Sequence, residues 1–373
     1  MAHRMTAPFA RVSRALSGNP TGDEGWFFGH LLDGIGGSTP LTPWDAATLR
    51  HARRGDGAWV HLDYRAPRAK EFIAACAGGR WTAFKDLEVK KQTHISNLMV
   101  ADPRKTQPRC EITFSENAVC TGMLLSLEVN FGNRFEANEP LELHRNIVPL
   151  RMWLGRGILI TARGHQPQEG TLRLPSLSQS LEDGSGPETC GALASTVISE
   201  VTSVTADSAL RIEDEMFELQ ARLQQQARLA GAHRPVAAAA LHELRQELMP
   251  LRYAAICMRR YEVPELNALG TVVRLSERPE QRLFDDADKY ELREAMSRQD
   301  ALVESLNATL AAGEALQKEI EAHATWEQSV YSFRLTVLGS VLSVLGFCSI
   351  SIDALSLMTE WGWVKVVIKS FVG

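Results

Sequence analysis

The chain has 373 residues, 45% of them hydrophobic and 23% charged, with a formal net charge of -5. That size fits one large or two medium soluble domains plus a short membrane part. The acidic balance, with no basic stripe of interleaved aromatics, excludes a nucleic-acid binder, and six cysteines (Cys76, Cys110, Cys120, Cys190, Cys257, Cys348) without a C-x-x-C pair read as reduced cytosolic thiols.

Residues 1–25 are rich in small and polar residues and hold no signal-peptide core, so a loose tail and a cytosolic soluble part are expected. From Trp26 to about Gly164 short apolar runs alternate with turns. Strands are predicted at Trp59 to Leu62, after the turn Gly55-Asp56-Gly57, at Met123 to Val129, at Ile147 to Trp153 and at Ile158 to Thr161. The last two are joined by Gly155-Arg156-Gly157, a hairpin signal. A helix is predicted around Ala69 to Cys76. Leu181 to Pro187 has the composition of a linker.

Beyond that linker the apolar period changes to that of helices. Leu193, Val197, Val201 and Val204, then Ile212, Met216, Leu219 and Leu223, mark a first helix that stops near Gly231 and Pro235. A second runs from about Ala237 through Leu241, Leu244, Leu248, Leu251 and Ala255, kinked at Pro250 and ending before Pro264. Ser276 is the predicted N-cap of a third, with Glu277 and Glu280 in its first turns. Leu292, Met296, Val303, Leu306, Leu310, Gly313, Ile320, Ala324 and Tyr331 fall on its stripe of alternating three and four spacings, interrupted by Gln299, Gln317 and Glu327. This is a coiled-coil-like seam. If continuous to Ile352 the helix is roughly 70 residues and roughly 110 Å long. Its seam is expected to face other copies, so that Leu306→Glu dissociates an assembly.

Leu335 to Ile352 is 18 residues without a charge, about enough to cross a bilayer core. The next apolar stretch, Trp361 to Val372, carries Lys365 and Lys369 and reaches only roughly 18 Å against a core of about 30 Å. It is read as interfacial, with the lysines snorkelling.

No P-loop, nucleophile elbow or dinucleotide fingerprint is present, and nothing points to an enzyme or a bound cofactor. His61, with Asp63, is read as a structural histidine of a strand. His242-Glu243 is not a zincin motif, because residue 246 is Gln. Glu213-Asp214-Glu215 is read as a solvated helix face, with an acidic ring that concentrates cations as the sharper alternative.

Several stretches, in this order and spacing, resemble the ZntB-type zinc transporters, a branch of the CorA-type divalent-metal transporters. They are Leu31-Leu32-Asp33-Gly34-Ile35-Gly36-Gly37 with Pro40-Leu41, Trp59-Val60-His61-Leu62-Asp63-Tyr64, and the strand entry Pro108-Arg109-Cys110. Val148-Pro149-Leu150-Arg151-Met152-Trp153 and Ile158-Leu159-Ile160-Thr161-Ala162-Arg163 resemble the central hairpin. Gly184-Ser185-Gly186-Pro187 matches the linker, and Arg245, Leu251, Arg252 and Arg259-Arg260-Tyr261 the helix before the stalk. Tyr331, Leu335 and Thr336 match the entry to the first span. The resemblance covers about residues 26–352. It implies an α+β protein: a cytoplasmic α/β funnel domain, long stalk helices and a C-terminal transmembrane helix. It also implies a homopentamer in the bacterial inner membrane, with the N-terminal domain cytoplasmic, that moves divalent cations, zinc in particular, through a pore lined by the longest helix.

The expected division is 1–25 tail, 26–190 α/β domain, 191–334 helical stalk, 335–352 span and 353–373 interfacial tail. In the family a Gly-x-Asn motif selects hydrated cations at the pore mouth. Counted without gaps from Tyr331, its equivalents here are Ser351, Ile352 and Asp353, so the Asn that meets the metal ion is replaced by Asp353. The proline usual in the first span is missing, and no second span follows. The alternative is therefore a non-transporting, membrane-anchored oligomer or a truncated remnant of such a transporter.

Overall fold

The computed structural model describes residues 25–51, 57–77, 97, 99–100, 108–114, 120–130, 147–155, 157–164, 174–231, 236–278, 281 and 283–372. The expected tail, up to residue 24, lies outside them. The chain divides into two compact units, Met1–Glu215 with Pro250–Ala311 and Met216–Met249 with Ala312–Gly373.

Among the described residues the first unit holds seven strands: β1 (Trp26–Leu32), β2 (Ser38–Pro40), β3 (Ala58–Asp63), β4 (Arg109–Phe114), β5 (Cys120–Asn130), β6 (Ile147–Gly155) and β7 (Ile158–Arg163). They form one sheet in the order β2-β1-β3-β7-β6-β5-β4. Only β3 and β7 pair in parallel, Ala58 against Ile158 through Asp63 against Arg163; the other pairs are antiparallel. Every residue of β3 is buried, because both faces are covered. Val60, Leu62, Ile160 and Trp153 pack with Phe72 and Ile73 of α2 (Ala69–Ala77) and with Leu49 of α1 (Ala46–His51). Trp59, Leu125, Met152 and Leu159 pack on the other face against the long helices. These are α3 (Leu174–Glu182), α4 (Cys190–Ala230), α5 (Ala238–Ser276) and α6 (Asp286–Val372).

The four predicted strands and the helix at Ala69 are present. β1 and β2 were not predicted from the residues, and β4 begins where the resemblance places a strand entry. β1 is an apolar run broken at Gly29, where a Cβ would lie 2.5 Å from the Trp26 ring; the glycine is there for ring packing, not to end a strand. Between β1 and β2, Asp33 Oδ1 accepts the N–H groups of Ile35 (2.9 Å) and Gly37 (2.8 Å). Gly36 sits at φ +95°, and a Cβ there would meet the Gly186 carbonyl at 2.8 Å. Gly186 N–H in turn donates to the Gly36 carbonyl at 2.8 Å. The two glycine motifs that mark the turn and the linker are thus one contact.

The second helix does not end before Pro264. α5 runs through both Pro250 and Pro264 to Ser276. A proline inside a helix costs about 3 kcal/mol, but Leu269, Val272 and Leu275 are buried beyond it, and burial of each contributes about 1.5–3 kcal/mol. Packing therefore outweighs the break. For the same reason Ser276 is not an N-cap. It closes α5, its hydroxyl donating to the Val273 carbonyl at 2.8 Å. α6 starts instead at a capping box: Asp285 Oδ1 accepts the N–H of Asp288 (2.8 Å), and Asp288 Oδ2 accepts the N–H of Asp285 (3.0 Å).

Within the first unit α4 and α5 are antiparallel. Residues 193–201 of α4 share a core with 268–275 of α5, and Ala209 and Ile212 share one with Ala254, Ala255 and Met258. α6 lies alongside, with Leu292 and Ala295 in the first core and Leu302 and Leu306 in the second. This corrects the expected seam. Leu292, Gln299, Leu306, Gly313 and Ile320 are buried as expected, but the alternate positions are Ala295, Leu302, Thr309 and Leu316 rather than Met296, Val303, Leu310 and Gln317. Leu306 is buried by the chain's own α4 and α5, so its seam needs no second copy.

In the second unit Arg222 makes a two-pronged ion pair with Glu247, one arm at 3.1 Å. Met216, Leu219, Leu223, Leu241, Leu244, Leu248, Leu316 and Ile320 are buried there. From residue 321 to Phe347 no described residue of α6 is buried.

Candidate permeation helix

α6 changes character along its length. Its first half carries the buried stripe; after Ile320 it turns outward, and Tyr331, Phe333, Leu335, Leu338 and Phe347 are each more than half exposed. The segment Asp286–Phe347 is the one helix among the described residues that is long and apolar enough to cross a membrane, and its apolar window is not buried by the protein at all. Free apolar surface of this extent is costly in water and belongs in a hydrocarbon phase. No proline follows Gln281, so nothing in the backbone chemistry interrupts the helix.

The exposed segment is not uniformly apolar. Thr325, Ser329, Ser332, Thr336, Ser340 and Ser343 recur at spacings of four, three, four, four and three, which places them on one face. The Thr336 hydroxyl donates to the Ser332 carbonyl at 2.9 Å, Ser340 to Thr336 at 2.8 Å and Ser343 to Gly339 at 2.8 Å. Each hydroxyl proton is thus used inside the helix, and the oxygen lone pairs are left as acceptors. Leu335, Leu338, Val341, Leu342 and Leu345 lie off this face. The period of this hydroxyl face is present in the sequence, within and just before a run whose most visible property is its lack of charge.

Ser351, Ile352 and Asp353 lie inside α6, which continues without a turn to Val372; their side chains lie outside the described structure. Ala354, Leu355, Leu357 and Met358 favour the helix that follows. The acidic cluster is split. Glu213 Oε2 accepts the Ser305 hydroxyl at 2.7 Å, toward α6, whereas Asp214 is exposed. Among the described residues no group of three His, Cys, Asp or Glu side chains is placed to hold a metal ion.

His61 is structural. Its Nδ1 lies 2.9 Å from Thr161 Oγ1, which also accepts the Trp59 indole N–H at 2.9 Å. Burial, and then the nearby Arg163 charge, push its pKa well below the ordinary histidine value, so it stays neutral between Phe27 and Phe28, with ring centres 5.0 Å from each. Arg151 is equally buried, donating to the Met99 carbonyl at 2.7 Å with its guanidinium 4.7 Å from the Tyr64 ring. His242 Nε2 lies 3.0 Å from Gln246 Nε2, one helical turn away on the surface.

The description "CorA-like Mg2+ transporter protein" matches residues 80–346. The chain belongs to this family. CorA-like proteins are membrane transporters of divalent cations, and the chain is not an enzyme. It is 23% identical over 267 residues to the "Zinc transport protein ZntB" of Enterobacter sp. (strain 638), covering 70% of this chain and 67% of that one. Two solved structures share the fold. The full-length CmaX protein matches with a TM-score of 0.61 and 20% identity, over 86% of this chain and 84% of that one. The ZntB cytoplasmic domain from Vibrio parahaemolyticus RIMD 2210633 matches with a TM-score of 0.56 and 13% identity, over 81% of this chain and 99% of that one. The expected α+β architecture, with long helices and one apolar C-terminal helix, agrees with these neighbours.

Proposed function

We propose that this CorA-like chain carries zinc across the bacterial inner membrane as a homopentamer, with its α+β unit in the cytoplasm as a funnel and α6 as the pore helix. One observation carries the reading: a helix anchored by its buried stripe up to Ile320 continues with no buried residue as far as Phe347, carries no charge from Leu335 to Ile352, and presents one hydroxyl face. Zinc is suggested by the ZntB relative. Residues 26–190 and 191–334 supply the funnel and stalk, 335–352 the span, and 353–373 lie at the interface.

In the pore, Thr336, Ser340 and Ser343 face the ion path, while the leucines and valines face lipid. Acceptor-only hydroxyls suit a hydrated cation, because the water shell presents O–H donors and need not be stripped. Ser351, Ile352 and Asp353 are the pore-mouth positions, with Asp353 the metal contact. Glu213, Asp214 and Glu215 raise the local cation concentration.

The second reading, a membrane-anchored oligomer that does not transport, is favoured by the unbroken course of α6 through Ser351 to Asp353, where a pore-mouth loop would need a turn. Zinc uptake into liposomes containing the purified chain separates the two. Flux above empty vesicles that falls on Ser340→Leu supports transport through the hydroxyl face. Flux equal to empty vesicles would leave the anchored oligomer.

A further inference from the structure

In the first unit α4 and α5 each carry a second stripe that the chain itself leaves uncovered. On α5, Tyr253, Ile256, Arg260, Val263 and Asn267 recur at spacings of three, four, three and four, and all five are exposed. On α4, Ser203, Asp207, Leu210 and Asp214 recur at four, three and four, and the last three are exposed. This is the period of a helix-packing seam, yet Ile256 is 50% and Leu210 53% exposed. Single exposed apolar residues are ordinary, but two seam-spaced stripes that hold them are not. The same helices bury their other sides together. Ala209 and Ile212 of α4, Ala254, Ala255 and Met258 of α5, and Leu302 and Leu306 of α6 form one core. Each helix therefore turns its outer side away from the other two, and the two stripes lie on different flanks.

The flanks differ in charge. Between residues 248 and 276 the acids of α5 are Glu262 and Glu265, both buried, so the exposed charges there are Arg259, Arg260 and Arg274. The charges of the α4 stripe are Asp207 and Asp214, with Arg211 exposed beside it. Among the described residues no ion pair uses Asp207, Asp214 or Arg260. A ring of identical copies needs two unlike patches on each copy that fit one another. A basic and apolar flank and an acidic and apolar flank meet that need. The buried stripe of α6 does not, because the chain covers it itself. Height matches as well. α4 and α5 run antiparallel past the shared core, which puts Asp207 at the level of Arg260 and Leu210 at the level of Ile256. Rotation about an axis along the helices leaves these levels unchanged in the next copy.

We infer that the α5 stripe of one copy packs antiparallel on the α4 stripe of the next, with Ile256 on Leu210 and Arg260 on Asp207. This rests on the homo-oligomer proposed above and names the surface that builds it. The apolar pair supplies the buried centre, and the charged pair fixes register and rejects a like flank. The contact is unlike on its two sides, so it propagates around a ring instead of closing as a pair. It does not depend on the chain conducting.

The test uses the full-length chain purified in detergent, with sedimentation of the unmodified protein measured in parallel. Leu210→Cys and Ile256→Cys placed in one chain and oxidised should give a ladder of covalent multimers above the wild-type background, since a disulfide forms only across a Cα separation of about 4.4–6.8 Å. A mixture of the two single variants should stop at the dimer. Adding Arg260→Asp to the double variant should cut the ladder by about fivefold or more, and adding Asp207→Arg as well should restore it, because the charge pair is then reversed and not lost. An oligomer that gives no ladder would overturn this interface and leave the two stripes to a partner other than this chain. Cross-linking of Ile256→Cys by itself would overturn it in favour of a two-fold contact between α5 helices. A monomer on sedimentation would overturn the homo-oligomer itself, and the interface with it.

Discussion

The capping box of α6 stores an unfavourable charge whose removal should stabilise the protein. Asp288 is 3% exposed and faces the first turn of α4: a Cβ on Gly191 would lie 2.6 Å from Asp288 Oδ2 and 2.3 Å from the Leu283 carbonyl. Burial first, and then the Asp285 and Glu291 charges, raise its pKa from 3.8 to about 6, against the opposing N–H bond from Asp285. Glu291, the other nearby carboxylate, is held at 2.6 Å by the Ser195 hydroxyl of α4. A carboxyl with a raised folded pKa keeps its proton in the folded state while the unfolded chain ionises. Stability therefore falls as pH rises from about 4 to about 6 and is flat above. At about 1.4 kcal/mol per pH unit the loss is about 3 kcal/mol. The interaction of a carboxylate with the helix N-terminus returns only about 0.3–1 kcal/mol.

Asp288→Asn keeps an oxygen for the Asp285 N–H and removes the charge. Its thermal midpoint, followed by tryptophan fluorescence of the full chain from pH 4 to pH 8, should match the wild type near pH 4. It should exceed the wild type by several degrees above pH 6.5, since about 1 kcal/mol shifts the midpoint of a large domain by about 2–4 °C. Parallel pH profiles for the two proteins would refute the reasoning.

Leu306→Glu should unfold the first unit rather than release folded subunits, at a cost of about 5 kcal/mol or more from lost packing and a buried charge; a folded monomer by circular dichroism and gel filtration would restore the intersubunit seam. Thr161→Val strips a shared partner from the Trp59 indole and the His61 ring, both fully buried. It should cost about 2–4 kcal/mol on denaturant unfolding, whereas a loss below about 0.5 kcal/mol would mean that water replaces the hydroxyl. Under the pore reading, Asp353→Asn should raise zinc flux severalfold and weaken block by divalent ions, because a carboxylate ring holds cations too tightly for release. Equal flux and equal block would assign Asp353 to the membrane interface alone.

Elements with one dominant period are legible in the sequence. β3, β5, β6, β7, the course of α4 and the membrane character of α6 all follow from spacing and from the absence of charge. Failures arise where tertiary packing outvotes a local signal. Pro264 reads as a stop, yet α5 passes it because Leu269, Val272 and Leu275 have a core to enter. Ser276 reads as a start, yet the capping pair is Asp285 with Asp288, two residues that resemble an ordinary acidic surface. The seam of α6 was displaced by one residue on alternate turns, because Met296 and Ala295 compete for the same stripe and only the facing helices decide. Of the candidate site, the family motifs are visible as an ordered series, while the hydroxyl face of Thr336, Ser340 and Ser343 has a legible period but no signal that separates it from ordinary small residues of an apolar helix. The burial of Glu262 and Glu265 is not legible either, since a pair of glutamates flanking a proline looks solvated until both helix neighbours are in place.

The parallel pairing of β3 with β7 joins residues about 100 positions apart, and it sets an order of events on the ribosome. Synthesis at about 5–20 residues per second leaves β3 without its central neighbour for roughly 5–20 seconds. β5 and β6 can meanwhile pair, and β7 joins them as it emerges, through local antiparallel contacts, which close faster than distant ones. The sheet is then completed by docking two preformed halves along one parallel seam. Only after that does the surface exist on which α4, α5 and the first half of α6 lie down, and the greasy end of α6 emerges last. A nascent chain stalled between β3 and β7 therefore exposes a strand that is buried along its whole length in the finished fold, and this is the interval in which chaperone cover matters.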